Sequence, residues 1–235
     1  LQGCIWDIEQ PGFIEADTVT HCGSSLSGDF IYSLTMMDLC TDWTECRATW
    51  NKGAQGVIRQ IQAIQRILSF TIKGFDCDNG SEFLNWHLVR YFQEQKHSVS
   101  FTRSRPYHSN DNAHVEQKNW SCVRQLLGYD RFDKQEAVEL INDLYANEFS
   151  LLTNFFAPTM KLIEKKRVGA KMIKKHASAQ TPLHRLLKHD SITQDKKIQL
   201  TNTLKSLDPF ALQQQIQAKL KAIFKLIRLP NNLRQ

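Results

Sequence analysis

Residues 45–77, ECRATWNKGAQGVIRQIQAIQRILSFTIKGFDC, decide the fold. The stretch opens on a β-branched and aromatic run at 45–50. It then places Val57, Ile61, Ile64 and Leu68 at helical spacing across 54–69 and returns to a strand pattern at 71–77. A strand, a crossover helix and a second strand form a unit whose second strand lies parallel in the same sheet. Two further strand-like runs precede it, FIEADTV at 13–19 and FIYSLTMMD at 30–38, separated by Gly/Ser or Asp/Thr turn clusters. With the run at 45–50 they make an antiparallel meander.

Downstream, the turn Asp78-Asn79-Gly80 leads into a helical stretch through 82–95 and a short strand at 99–102. An irregular Arg/Pro/His/Asn segment follows, then a helix over 111–127 with Asn110 or Asp111 as its N-cap. On that helix Val115, Asn119, Cys122, Val123 and Leu126 share one face, which should pack on the sheet. The order predicts an α/β fold with a mixed five-stranded sheet flanked by helices.

Beyond about residue 150 no further strands are expected. Residues 158–176 are dense in lysine, and 194–228 read as helices broken at Asp208-Pro209, with Ile216, Leu220, Ile223 and Leu226 on a common stripe. The predicted organisation is therefore a catalytic-type core over 1–150 and a basic, mainly helical C-terminal appendage over 151–235. Charge divides at the same place. Residues 1–150 hold 13 Lys+Arg against 20 Asp+Glu, whereas 151–235 hold 17 against 4. An acidic body with a basic tail is the asymmetry expected of a nucleic-acid or acidic-surface binder.

Other classes are disfavoured. No run of about 18 apolar residues could span a bilayer, and no secretory leader is evident. The six cysteines lack CxxC pairing and the eight histidines lack HExxH spacing, so a zinc enzyme is not expected. The cysteines read as reduced, mostly buried thiols of a cytoplasmic protein. The chain begins with Leu1 rather than Met, consistent with a piece of a longer protein.

Three carboxylates stand out. Asp17 interrupts an otherwise apolar strand, where an ionised group is costly unless compensated or turned to water. Asp78 ends the strand after the crossover helix, where open α/β sheets bind ligands, although an Asp-Asn-Gly turn needs no such role. Glu116 falls about 100° from Val115, at the border of the buried face, from which it can reach the sheet edge. Converging carboxylates repel one another, and oxygen-only ligands suit Mg²⁺ or Mn²⁺. Asp76, on the same strand face as Asp78, is the local rival.

DNGSEF at 78–83, RSRPYHSNDNAHVEQKNW at 103–120 and VRQLLGY at 123–129 resemble the integrase catalytic core of bacterial insertion-sequence transposases, within the DDE transposase and retroviral integrase superfamily. There the second aspartate opens the DNG motif and the glutamate follows about three dozen residues later; 37 residues separate Asp78 from Glu116 here. GFIEADTVTH at 12–21 resembles the segment carrying the first aspartate, matching Asp17. The resemblance spans roughly residues 10–135 and continues more weakly through NFFAPTMKL and DPFALQQQI.

The resemblance implies a ribonuclease H-like fold and a DDE-type polynucleotidyl transferase. Asp17, Asp78 and Glu116 would be its catalytic and metal-binding residues, with two Mg²⁺ or Mn²⁺ ions as cofactors. Element ends and target duplex DNA would be its partners, and a homo-oligomer the active form. It also implies a bacterial cytoplasmic protein, nucleoid-associated when bound to DNA, that performs strand cleavage and strand transfer. Arg103, Arg105 and His108 lie in the segment before the catalytic helix. Lys118 and Arg124 follow Glu116, and Lys165, Lys166 and Arg167 sit in the basic tail; all but His108 are candidate DNA contacts. Asn119 is expected to pack or hydrogen-bond within the fold, and Glu82 to start a helix. Full-length relatives usually carry an N-terminal helix-turn-helix region or, in retroviruses, an HHCC module. Neither precedes Ile5, so end recognition is expected to be lost or to reside elsewhere. The alternatives are a catalytically idle, DNA-binding or oligomerising regulator and, more remotely, a ribonuclease H-type nuclease.

Overall fold

A computed structural model of the chain describes residues 8–77, 86–94, 99–103 and 113–228. Its central sheet contains β1 (Phe13–Thr20), β2 (Ile31–Asp38), β3 (Thr44–Trp50), β4 (Gly74–Cys77) and β5 (Ser100–Arg103) in the order β3-β2-β1-β4-β5. The first three strands pair antiparallel, and β4 joins β1, and β5 joins β4, in parallel. The expected ribonuclease H-like mixed sheet is present.

Alternation along the strands gives the sheet two different faces. Ile14, Ala16, Leu34, Met36, Phe75 and Cys77 point to one side. There they pack on α1 (Ala54–Ile67) through Val57, Ile61 and Ile64, and on α2 (Trp86–Gln93) through Leu88 and Phe92. Burial of each α1 anchor contributes about 2 kcal/mol. The crossover helix thereby fixes β4 beside β1. Gly12 closes the same junction: its carbonyl accepts from Lys73 N at 2.7 Å and Gly74 N at 3.1 Å. Its φ is +120°, and a Cβ there would lie 2.4 Å from the Thr71 carbonyl oxygen. Only glycine fits.

On the other face, Val19, Ile31, Cys46 and Ala48 meet the long helical run made of α3 (Ala113–Lys118), a π-helical segment (Asn119–Arg124) and α4 (Gln125–Leu127). Val115, Asn119, Cys122 and Val123 are buried as the sequence predicted, but Leu127 rather than Leu126 is the fully buried residue at the end. The wider π turn advances the register and moves the stripe by one position. The expected N-cap, Asn110 or Asp111, lies outside the described residues, as do positions 82–85 and 95 of the expected helix at 82–95.

This core also takes in α5 (Ala137–Leu144), Tyr145 and the last helix, α8 (Pro209–Arg228), whose Ile216, Leu220 and Ile223 are buried in it. A third cluster joins Trp43 and Phe155 to Leu183 and Leu186 of α6 (Pro182–Leu187) and Leu200 of α7 (Gln194–Ser206). β3 is an edge strand, and two asparagine side chains cover it. Asn142 accepts from Ala48 N at 2.7 Å and donates to Ala48 O at 3.0 Å; Asn154 does the same to Thr44 at 2.8 and 2.9 Å.

One expectation fails. Residues 162–176, read as strand-free, form an antiparallel hairpin of β6 (Leu162–Val168) and β7 (Lys171–His176). Every residue in it is exposed, so no apolar alternation announced it. The residual clue was the two-residue turn Gly169-Ala170 between strands, with Gly169 at φ 61°. Among the described residues no helix is long and apolar enough to cross a membrane.

Candidate active site

The face of β1 turned toward α3 carries Glu15 and Asp17, two residues apart and therefore on the same side. In the parallel register, Glu15 stands beside Asp76 of β4, whose carboxylate accepts from Thr102 Oγ1 of β5 at 2.6 Å. Acidic groups from two adjacent strands thus face one helix.

Two hydrogen bonds dock that helix. Val115 N donates to Glu15 Oε2 at 3.1 Å, and Asn119 Nδ2 donates to Asp17 Oδ2 at 2.6 Å. The other Asp17 oxygen accepts from Thr18 N at 2.7 Å. Glu116 lies between the two docking residues on α3 and is exposed. Asp17 and the helix bearing Glu116 are therefore brought together.

Electrostatics record the crowding. Glu15 is only 4 % exposed, and its pKa is raised to about 7. Burial is the main cause; the negative charges of Asp76 and Glu116 add to it, while backbone donors Val115 and His114 oppose it. Sequence reading missed Glu15. Its place two residues before Asp17 in a strand was the available clue. The Asn119 bond to Asp17 sharpens what had been expected only as packing or hydrogen bonding, and the Asn119 Oδ1 has no hydrogen-bond partner among the described residues.

Asp78 follows Cys77, the last residue of β4, and lies outside the described residues, as do Glu82, Arg105 and His108. Arg103 ends β5, and its side chain is likewise outside them. Lys118 is half-buried on α3. Arg124 sits at the far end of the helical run, donating to Gly128 O at 3.4 Å and lying 4.7 Å over the Tyr129 ring. Lys165, Lys166 and Arg167 are on exposed β6. Among the described residues no three His, Cys, Asp or Glu side chains form a group that could hold a metal ion. Among the described residues Cys40, Cys46, Cys77 and Cys122 are buried and Cys22 is half-buried, and none of the five is in a disulfide.

Comparison with known proteins addresses the family directly. Residues 9–109 match the integrase core domain. The match takes in β1 through β5 and includes Asp17 and Asp78, with Glu116 following it. The chain is 37 % identical over 180 residues to the uncharacterized protein y4rM of Sinorhizobium fredii (strain NBRC 101917 / NGR234), a span covering 77 % of the chain and 51 % of that protein. The chain thus spans about half the length of the curated relative it matches.

Among solved structures, the chain shares its fold with a chain of the simian T-cell lymphotropic virus intasome in complex with PP2A regulatory subunit B56 gamma. The TM-score is 0.50 at 14 % identity, over 66 % of this chain and 53 % of that one. The catalytic core domain of BIV integrase superposes at TM-score 0.46 with 17 % identity, over 74 % and 91 % of the two chains.

Proposed function

We propose that the chain is the catalytic core of a bacterial DNA transposase or integrase, of the insertion-sequence type, in which Asp17, Asp78 and Glu116 hold two divalent cations. The observation that carries this reading is the double docking of the Glu116 helix onto β1, by Val115 to Glu15 and Asn119 to Asp17. It docks the helix that carries the exposed Glu116 onto the strand that carries Asp17.

The residues suit Mg²⁺ or Mn²⁺. All the donors are carboxylate oxygens, and the charges of Asp76 and Glu116, which add to burial in lifting Glu15 to about 7, are negative charge that cations would relieve. Asp17, Asp78 and Glu116 would hold these ions, which when bound would supply activation of a water or a 3′-hydroxyl and charge stabilisation of the departing oxygen. Asn119 holds one Asp17 oxygen in place, which fixes the carboxylate plane. Glu15, mostly protonated below neutral pH, removes one negative charge from beneath the site. No side-chain nucleophile is required.

Duplex DNA, as element ends and target, is the proposed partner, and a homo-oligomer the proposed working form. The test is nicking of supercoiled plasmid with Mn²⁺, and joining of pre-cut ends to target. Both should vanish in Asp17→Asn, Asp78→Asn and Glu116→Gln without loss of fold. DNA binding that survives all three substitutions, with no strand cut or joined by the unsubstituted chain, would instead support the idle regulator. Preferential cleavage of RNA–DNA hybrid would support a ribonuclease.

A further inference from the structure

The hairpin β6–β7 is the part of the chain that neither the sheet nor its helices require. Its strands pair only with each other, and all their residues are exposed. A lone two-stranded hairpin is marginal in water, yet this one is anchored at its root. Thr159 pairs with Gln180 as an isolated bridge, and Arg185 donates to Asp42 Oδ2 at 2.8 Å and to Thr159 O at 2.6 Å. Lys161 donates to Leu39 O at 2.6 Å and lies 3.7 Å from Asp42. The root adjoins the strand of the candidate site, because Leu39, whose carbonyl Lys161 holds, donates its N–H to Phe13 O at 2.9 Å, and Phe13 opens β1 two residues before Glu15.

Cross-strand register sorts the side chains. Lys165 stands directly opposite Lys174, and Arg167 opposite Met172, on one face; Lys166 pairs with Ile173 and Val168 with Lys171 on the other. Directly opposed lysines destabilise a sheet unless an anion lies between or beside them. None of Lys165, Lys166, Lys171, Lys174 and Lys175 has an ion pair or side-chain hydrogen bond among the described residues. Cations and apolar side chains alternate on both faces. No continuous apolar face therefore exists for a bilayer or a second sheet. The strands, of seven and six residues, span roughly 20 Å, and a major groove about 12 Å wide admits a two-stranded ribbon.

We propose that Leu162–His176 is a DNA-binding ribbon that lies in the major groove of duplex DNA beside the candidate active site, with its lysines on the flanking phosphates. This rests on the reading that the site processes DNA, but binding by the ribbon needs no metal. The 235-residue protein with chelator present should bind a fluorescent duplex with an affinity that falls steeply between about 50 and 200 mM salt.

The double variant Lys165→Gln/Lys174→Gln should flatten the log–log salt slope by about 2 and weaken binding roughly 50-fold at 0.1 M salt. Its circular dichroism should be unchanged and its melting temperature no lower, because both side chains are exposed and the substitution removes a directly opposed pair of like charges. Lys166→Gln/Lys171→Gln on the opposite face should behave alike, and guanine N7 should be protected from dimethyl sulfate. An unchanged slope in both variants, unprotected N7, or tighter binding to phosphatidylserine vesicles than to duplex would overturn the proposal. The two readings fail separately. Mn²⁺-dependent nicking with an unchanged slope removes only the ribbon, whereas a ribbon-dependent slope without nicking removes only the catalytic reading.

Discussion

Replacing His21 with Phe should make the protein markedly less sensitive to acid. His21 follows β1 and is fully buried, with Nε2 hydrogen-bonded to Ser33 Oγ at 2.8 Å and its ring 4.9 Å from Phe132. Its pKa is lowered to about 3, chiefly by burial and secondarily by the Arg124 charge. The folded state thus resists a proton that the unfolded chain takes up near pH 6.5. Stability is complete above pH 6.5 and drains away as pH falls toward 3, at about 1.4 kcal/mol per unit. From pH 6 to 4.5 that amounts to about 2 kcal/mol from this one group.

Phenylalanine keeps the packing on Phe132, and Ser33 retains its bond to the Tyr145 hydroxyl at 2.9 Å, so the variant should fold at neutral pH. Urea denaturation of both proteins at pH 6 and 4.5 measures the difference, since every other titrating group is common to the two. Parallel losses of stability in wild type and variant would refute the argument.

Glu15 works in the opposite sense. Its pKa is raised from 4.5 to about 7, so its contribution is intact below pH 4.5 and lost as pH rises through 7. In chelator, Glu15→Gln should match wild type at pH 4 and exceed it by up to about 3 kcal/mol at pH 8, by urea denaturation. Arg185→Met leaves Asp42 without its 2.8 Å partner, in a pair whose side chains are 10 % and 12 % exposed. It should cost about 3 kcal/mol, and hydrogen exchange should quicken across residues 159–180. Asn119→Ala frees one Asp17 oxygen and should lower stability by about 1 kcal/mol. It should reduce plasmid nicking with Mn²⁺ more than it reduces DNA affinity.

Where side chains are half or wholly buried, the sequence was readable. The strands β1 to β5 were legible as β-branched and aromatic runs between turn clusters, with β2 and β3 buried on both faces, whereas helix α1 and the stripe of Val115, Asn119, Cys122 and Val123 carry a helical period set by one buried face. The hairpin carries none, because none of its residues is buried. The shift from Leu126 to Leu127 depends on a π turn, which the identities of Asn119–Arg124 do not announce. At the candidate site, a carboxylate inside a strand was conspicuous in Asp17. Its neighbour Glu15 was not, because that residue's consequence comes from α3 lying across it.

The two asparagines that cover β3 bear on how copies of this chain can associate. Asn142 and Asn154 each supply one donor and one acceptor, occupying the backbone groups of Ala48 and Thr44 as a neighbouring strand would. That border of the sheet is already spoken for, so a second molecule cannot extend the β-ladder there without first evicting one buried and one half-buried amide. Any multimer must meet through other surfaces, leaving each five-stranded sheet a self-contained unit at its β3 margin.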